Sequence, residues 1–154
     1  MFAKIDVRIC ADAWAMIFPA IRQKFTNDVI DKLRGAIIVL DPRPPEEDHA
    51  NEKYPVLYQA TIVSSATDEK YVRIATSMAL ASLKTGLPSC RIQQEYPNLY
   101  EEGDTKWGGS TVDPDGLIVA FSGVQAVFSE MIAQWMASAI RAQYRYWIND
   151  LNGS

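Results

Sequence analysis

Residues 107 to 147 read WGGSTVDPDGLIVAFSGVQAVFSEMIAQWMASAIRAQYRYW. The stretch holds a paired glycine, a tight turn, an apolar strand, a glycine break and a long amphipathic helix. Asp113-Pro114-Asp115-Gly116 is the turn. Proline presets its first dihedral and glycine accepts a positive one. Residues 110–112 and 117–121 then read as the arms of a hairpin. Ser122-Gly123-Val124-Gln125 has the Ser-x-x-Gln form of a capping box. From Val124 through Phe128, Ile132, Met136 and Ile140 to Tyr144 and Trp147, apolar residues recur at helical spacing. About 24 residues at 1.5 Å each span ~36 Å, longer than one side of a small domain. The far end, Tyr144, Tyr146 and Trp147, is therefore expected to lie on something other than its own sheet.

The chain before this stretch supplies the layers that pack against it. Ile5, Val7 and Ile9 alternate with Lys4, Asp6 and Arg8, which predicts a short strand over 2–10. Asp12 is placed to cap a helix carrying Trp14, Ile17, Phe18, Ile21 and Phe25, with a kink or restart expected at Pro19. Thr26-Asn27-Asp28 is a second cap signal, and Gly35 ends that helical stretch. AIIVLD, residues 36–41, is a continuous apolar run suited to a buried strand. The proline- and acid-rich segment 41–55 is an exposed loop, long for a compact domain and so a candidate for function. VLYQATIVS, residues 56–64, is the next strand, expected antiparallel to the first. Asp68 can cap a helix over 69–85, whose small apolar face (Ala75, Met78, Ala81) suits close packing on a sheet. Gly86 and Pro88 stop it. Residues 89–106 read as irregular. The whole is an α+β layered domain, with 1–154 as one unit.

Composition removes several functions. The 154 residues carry a net charge of −4, with a pI near 5.0. A general nucleic-acid binder needs a basic face, so none is expected. No run approaches the ~20 apolar residues of a membrane span. Charges at Lys4, Asp6 and Arg8 interrupt the core a signal peptide requires, so the cytoplasm is the expected location. Cys10 and Cys90 are far apart, form no CxxC, and imply neither a disulfide framework nor a zinc site. No phosphate-binding Gly-Lys-Ser/Thr loop and no dinucleotide-type glycine motif is present.

Chemistry-bearing candidates are few. His49, the sole histidine, would have to serve any Ser–His or Cys–His nucleophile, yet it sits in the 41–55 loop. Glu101, Glu102 and Asp104 could in principle hold a cation or act as acid and base, but a solvated loop is the favoured explanation. Gly108 and Gly109 permit close backbone approach to a ligand. Gly123, next to Ser122, stands where a strand hands over to a helix whose first amides are free. Lys84 could supply positive charge. Together, Gly108, Gly109, Ser122, Gly123 and Lys84 are the candidate ligand site. Tyr144, Tyr146 and Trp147, with Arg141 and Arg145, have the composition of an interface.

Three segments also carry a resemblance. GAIIVLD (35–41), IATSMALASLKTGLPS (74–89) and GGSTVDPDGLIVAFSGV (108–124) are similar, in order and spacing, to the GlcG/HbpS-like family over roughly 35–140. That family includes the C-terminal domain of PduO-type proteins. The resemblance implies a profilin-like fold, a mainly antiparallel sheet of about five strands flanked by helices, and a homo-oligomer. It implies haem or cobalamin binding in some members. The chain departs from the pattern at Met78-Ala79, where the family has Lys-Ala, at Gln125-Ala126 after Gly123-Val124, and near Met131, where it lacks an aspartate. Haem chemistry is not carried over on these residues. The expected function is a non-enzymatic, oligomeric small-ligand-binding or accessory protein. The alternatives are an enzyme on a small metabolite or haem, and a structural interaction module.

Overall fold

The computed structural model of the chain describes residues 5–25, 34–41, 56–62 and 68–151. At its centre lie β1 (Ala36–Leu40) and β4 (Ile118–Ser122), buried at every position. Such unbroken apolar strands are stable only where both sheet faces are covered. β1 pairs antiparallel with β2 (Val56–Thr61) on one side and with β4 on the other, and β3 (Ser110–Val112) pairs antiparallel with β4. The order is β2-β1-β4-β3. Among the described residues the sheet thus has four strands rather than about five. Leu40 pairs with Val56 and Val39 with Tyr58, so Leu57 is the extra residue of a bulge.

Helices cover both faces. α1 (Val7–Phe25) and α4 (Ala126–Leu151) lie together on one face. There Ile37, Val39, Val119 and Phe121 meet Ile9, Trp14, Ile21, Ile132, Met136 and Ile140. α2 (Asp68–Thr85) covers the opposite face, where Ala75, Met78 and Ala79 meet Ile38, Leu40, Ile118 and Ala120. No described helix is long and apolar enough to cross a membrane.

The N-terminal expectation needs correction. Residues 7–10 are the first turn of α1 and not a strand. Ile5 and Ile9 are buried while Val7 is 55% exposed, so the four-residue spacing governs burial and the alternation does not. The cap is Asp6, whose Oδ1 accepts from the Ile9 amide at 2.9 Å, and not Asp12. α1 continues through Pro19, which stands on its exposed side, where water can satisfy the carbonyl left without a donor. The second cap signal at 26–28, the loop 42–55 with His49, and residues 63–64 lie outside the described residues.

Between α2 and β3 the chain is more ordered than its polar sequence suggests. α3 (Ser89–Glu95) and a 3₁₀ turn (Pro97–Leu99) occupy part of the stretch expected to be irregular. α3 buries Ile92 and Ser89 alone, which leaves no apolar period to read. Ser89 Oγ accepts from the amides of Gly109 and Ser110, each at 2.9 Å, and Ser82 shares a 2.6 Å hydrogen bond with Ser110. These buried bonds fix the Gly108-Gly109 corner against α2 and α3. The hairpin turn is as expected: the Gly116 amide donates to Asp113 O at 2.8 Å, and Gly116 takes φ +90°. Arg141 of α4 donates to Asp113 Oδ1 and ties the turn to the last helix.

Candidate functional site

A cleft of about 410 Å³ opens on the α2 side of the sheet, where β4 passes into α4. Three segments build it. From α2 come Lys70, Ile74 and Met78, four residues apart on one helical face, together with Tyr71. From the corner before β3 come Trp107 and Gly108. From the β4–α4 junction come Phe121, Ser122, Gly123, Val124, Ala126 and Ser129.

The junction is shaped by its glycine. Gly123 has φ +140°, and a Cβ there would stand 2.2 Å from the Arg34 carbonyl oxygen. A side chain would push β4 away from the residues entering β1. Gly109, φ +151°, is constrained in the same way against Phe121 O at 2.6 Å and the Met78 methyl at 2.9 Å. At Gly108 a Cβ would meet the Ala126 and Cys90 carbons at 3.5 and 3.7 Å, ordinary contact distances. Of this glycine set, then, Gly109 and Gly123 are required by packing, whereas Gly108 leaves room.

The polar groups follow from the pleat. Ile118 and Ala120 face α2, so Ser122 faces α2 as well, and its hydroxyl points to the cleft. Ser122 is 4% exposed, and its hydroxyl has no hydrogen-bond partner among the described residues. The expected capping box is absent. Ser122 ends β4, and Gln125 is the residue whose carbonyl accepts from the Phe128 and Ser129 amides, at 2.9 and 2.8 Å. The Ala126 and Val127 amides, ahead of those first intrahelical bonds, have no partner among the described residues. No acidic residue stands in the first turn of α4. Among the described residues Lys70 is the one charged side chain lining the cleft.

The structure gathers Gly108, Ser122 and Gly123 into the cleft and leaves Gly109 behind it, against the sheet. Lys84 is elsewhere. Its Nζ pairs with Glu101 and Asp104 at 3.2 Å each, contacts that raise its pKa. The cation at the cleft is Lys70, at the other end of α2. Its signal in the sequence was the shared helical face with Ile74 and Met78. Tyr71 and Trp107 were also missed as cleft residues. Of the aromatic end, Tyr144 is buried within its own chain. Tyr146 is 65% exposed, and Trp147 is half-buried with the Arg8 guanidinium 4.5 Å from its ring centroid.

Cys90 lies close behind Gly108, and its thiol donates to Glu130 Oε1 at 3.2 Å. Burial, then the bond to Glu130, pushes the thiol pKa up to about 11. At neutral pH it is a thiol and a poor nucleophile. Cys10 is buried in the α1 layer and pushed up to about 12, mainly by desolvation. Among the described residues no three His, Cys, Asp or Glu side chains come together as a metal set.

No family model matches the chain, and no curated protein is significantly similar to it. Solved structures are. Klebsiella pneumoniae protein ORFY, of family DUF336, superposes with a TM-score of 0.64 at 12% identity, over 90% of this chain and 91% of its own. A double mutant of Streptomyces reticuli HbpS gives 0.55 at 14% identity, over 86% and 84%. The Ybr137w protein gives 0.59 at 13%, over 86% and 77%. The chain has the GlcG/HbpS-like fold.

Within that fold the lining is this chain's own. Met78, where the resemblance expects lysine, lines the cleft, and the positive charge comes from Lys70 two turns earlier. Haem fits these residues poorly. The described lining has no histidine or cysteine, and Met78, 1% exposed, packs its thioether toward Gly109.

Proposed function

We propose that the protein is a single-domain small-ligand-binding or accessory protein, that it works as a homo-oligomer, and that the cleft at the β4–α4 junction is its pocket. The observation that carries this reading is the cleft's make-up. An apolar wall of Ile74, Met78, Phe121 and Val124 surrounds a few polar groups, among them the hydroxyl of the largely buried Ser122, which has no partner among the described residues. Ligand pockets have this character and this size, roughly 300–1,000 Å³.

The enzymatic reading has less support. The Cys90 thiol is held protonated beside Glu130, and Glu101 and Asp104 are engaged by Lys84 outside the cleft. The interaction-module reading draws on exposed apolar groups of α4, Val127 at 68% and Tyr146 at 65%. Such residues fit a subunit contact as well as a foreign partner.

Native mass spectrometry of the purified protein tests the preferred reading. The expected spectrum is an oligomer carrying a small molecule, lost from Ala126→Trp, which fills the cleft. A ligand-free monomer overturns the proposal. Truncation after Ile140 separates the subunit question from the pocket: an unchanged oligomeric mass removes the aromatic end from the contact.

A further inference from the structure

Resting on the pocket reading, we infer that the cleft is selective for a small organic carboxylate with an apolar body. Two independent observations meet there. The first is a helix start with a spare donor: the amide of Ala126, which lines the cleft, is unpartnered among the described residues, and no acidic side chain in the first turn of α4 offsets the positive end of its dipole. The second is Ser122. Its hydroxyl is on a residue 96% buried, has no partner among the described residues, and opens into the same cleft. Ser122 Oγ is not among the buried side-chain atoms left without a partner, so it reaches the open cleft, where it can donate to an acceptor brought from outside the chain. The hydroxyl and the Ala126 amide can both donate, so they suit an acceptor, and Lys70 makes a negative one favourable.

Charge and polarity narrow the class. One lysine and a helix terminus match a single negative charge. A phosphate dianion held against Ile74, Met78 and Val124 would need a second cation, and none lines the cleft among the described residues. Tyr71 and Trp107 offer aromatic surface to the rest of the ligand. Lys70 Nζ stands 5.9 Å from the Tyr71 ring centroid, so the carboxylate lies between Ser122 and Lys70, with its hydrocarbon part toward Trp107 and the apolar wall.

Calorimetric titration with a panel of acids and their neutral amides tests this: benzoate, phenylacetate and 3-methylbutanoate against the matching carboxamides, with inorganic phosphate alongside. At least one acid is expected to bind about tenfold or more tightly than its amide, as charge-assisted hydrogen bonds require. Ser122→Ala and Lys70→Met should each reduce that preference to about threefold or less while the amide's weak binding stays. Lys84→Met, outside the cleft, should change nothing. If acid and amide bind equally and Ala126→Trp abolishes both, the pocket stands and the carboxylate inference fails. Phosphate binding as tightly as the best acid also overturns it, since the apolar body would then count for nothing. If no member of the panel binds, the inference and the pocket reading fall together.

Discussion

The two faces of the sheet are packed in different ways. The face toward α1 and α4 is filled by large side chains, with Ile132, Met136, Ile140 and Phe121 fully buried. The face toward α2 is narrower, built on Ala75, Ala79 and Ala120, and at the junction of β4 with α4 it is left open. Large residues from two helices close a surface. One helix resting on alanines comes close to the sheet but covers only its own width. The cleft is what remains where α2's coverage runs out, and the last lining residues there, Lys70, Tyr71 and Ser122, are the polar or amphipathic ones. Stability is thus expected to reside mainly on one face and binding on the other.

That division can be broken by mutation. The largest effect is expected from Ile132→Ala on the filled face, which should cost about 2–5 kcal/mol in urea unfolding through lost burial and a residual cavity. Ile74→Ala at the half-buried wall of the cleft should cost no more than about 1–2 kcal/mol. Equal losses would mean that the α2 face is as well packed as the other.

The second contrast is between two glycines of one cleft. Gly123→Ala should cost roughly 3 kcal/mol, from an unfavourable φ and a collision with the Arg34 carbonyl. Gly108→Ala should stay within about 0.5 kcal/mol, since its Cβ meets only ordinary contacts. A tolerant Gly123 would show that the junction can shift, and would weaken any reading that depends on its shape.

Smaller effects belong to the tie between the hairpin and α4. Asp113 is buried, and desolvation raises its pKa in spite of the opposing pull of Arg141. The folded state therefore holds this proton more tightly than the unfolded chain does. The group's contribution to stability is full below the ordinary value of 3.8 and is lost as pH rises through the raised one. Asp113→Asn should accordingly gain on the parent protein as pH climbs above that value. Arg141→Met should cost about 1–2 kcal/mol at pH 7, less than a fully buried pair because the arginine is 35% exposed. Melting temperatures from pH 3 to 7 decide both. A constant gap between Asp113→Asn and the parent would refute the assignment.

The smallest effect carries the most information. Ser122→Ala should change stability by no more than about 0.5 kcal/mol, because its hydroxyl opens to the cleft and bonds to nothing in the described fold. A loss above 1 kcal/mol would give Ser122 a structural partner and take it out of the site.

Several of these features were legible before any coordinates. Asp113-Pro114-Asp115-Gly116 specifies its own turn, and 117–121 is apolar without a break because both faces are covered. Gly86 and Pro88 end a helix by local geometry alone. The alternation at Ile5, Val7 and Ile9 misled because Ile5 and Ile9 satisfy a helical spacing too, and nine residues are too few to separate the periods. Burial of Ile5 and Ile9, and of Tyr144 at the far end, depends on α1 and α4 lying side by side, which no local pattern encodes.

The same limit holds at the site. Gly108, Ser122 and Gly123 could be named from chain order, since a paired glycine and a strand-to-helix glycine mark backbone close to something. Chain order points to Lys84 at one end of α2, and nothing local distinguishes Lys70 at the other end of the same helix. Which end of α2 faces the start of α4 is set by the antiparallel pairing of β1 with β4 and by the face α2 takes. Those are contacts between residues far apart in the chain. Dihedral preference, turn chemistry and apolar period act over a few residues and were settled by the sequence alone; the meeting of Lys70, Trp107 and Ser122 around one cleft was decided by tertiary packing.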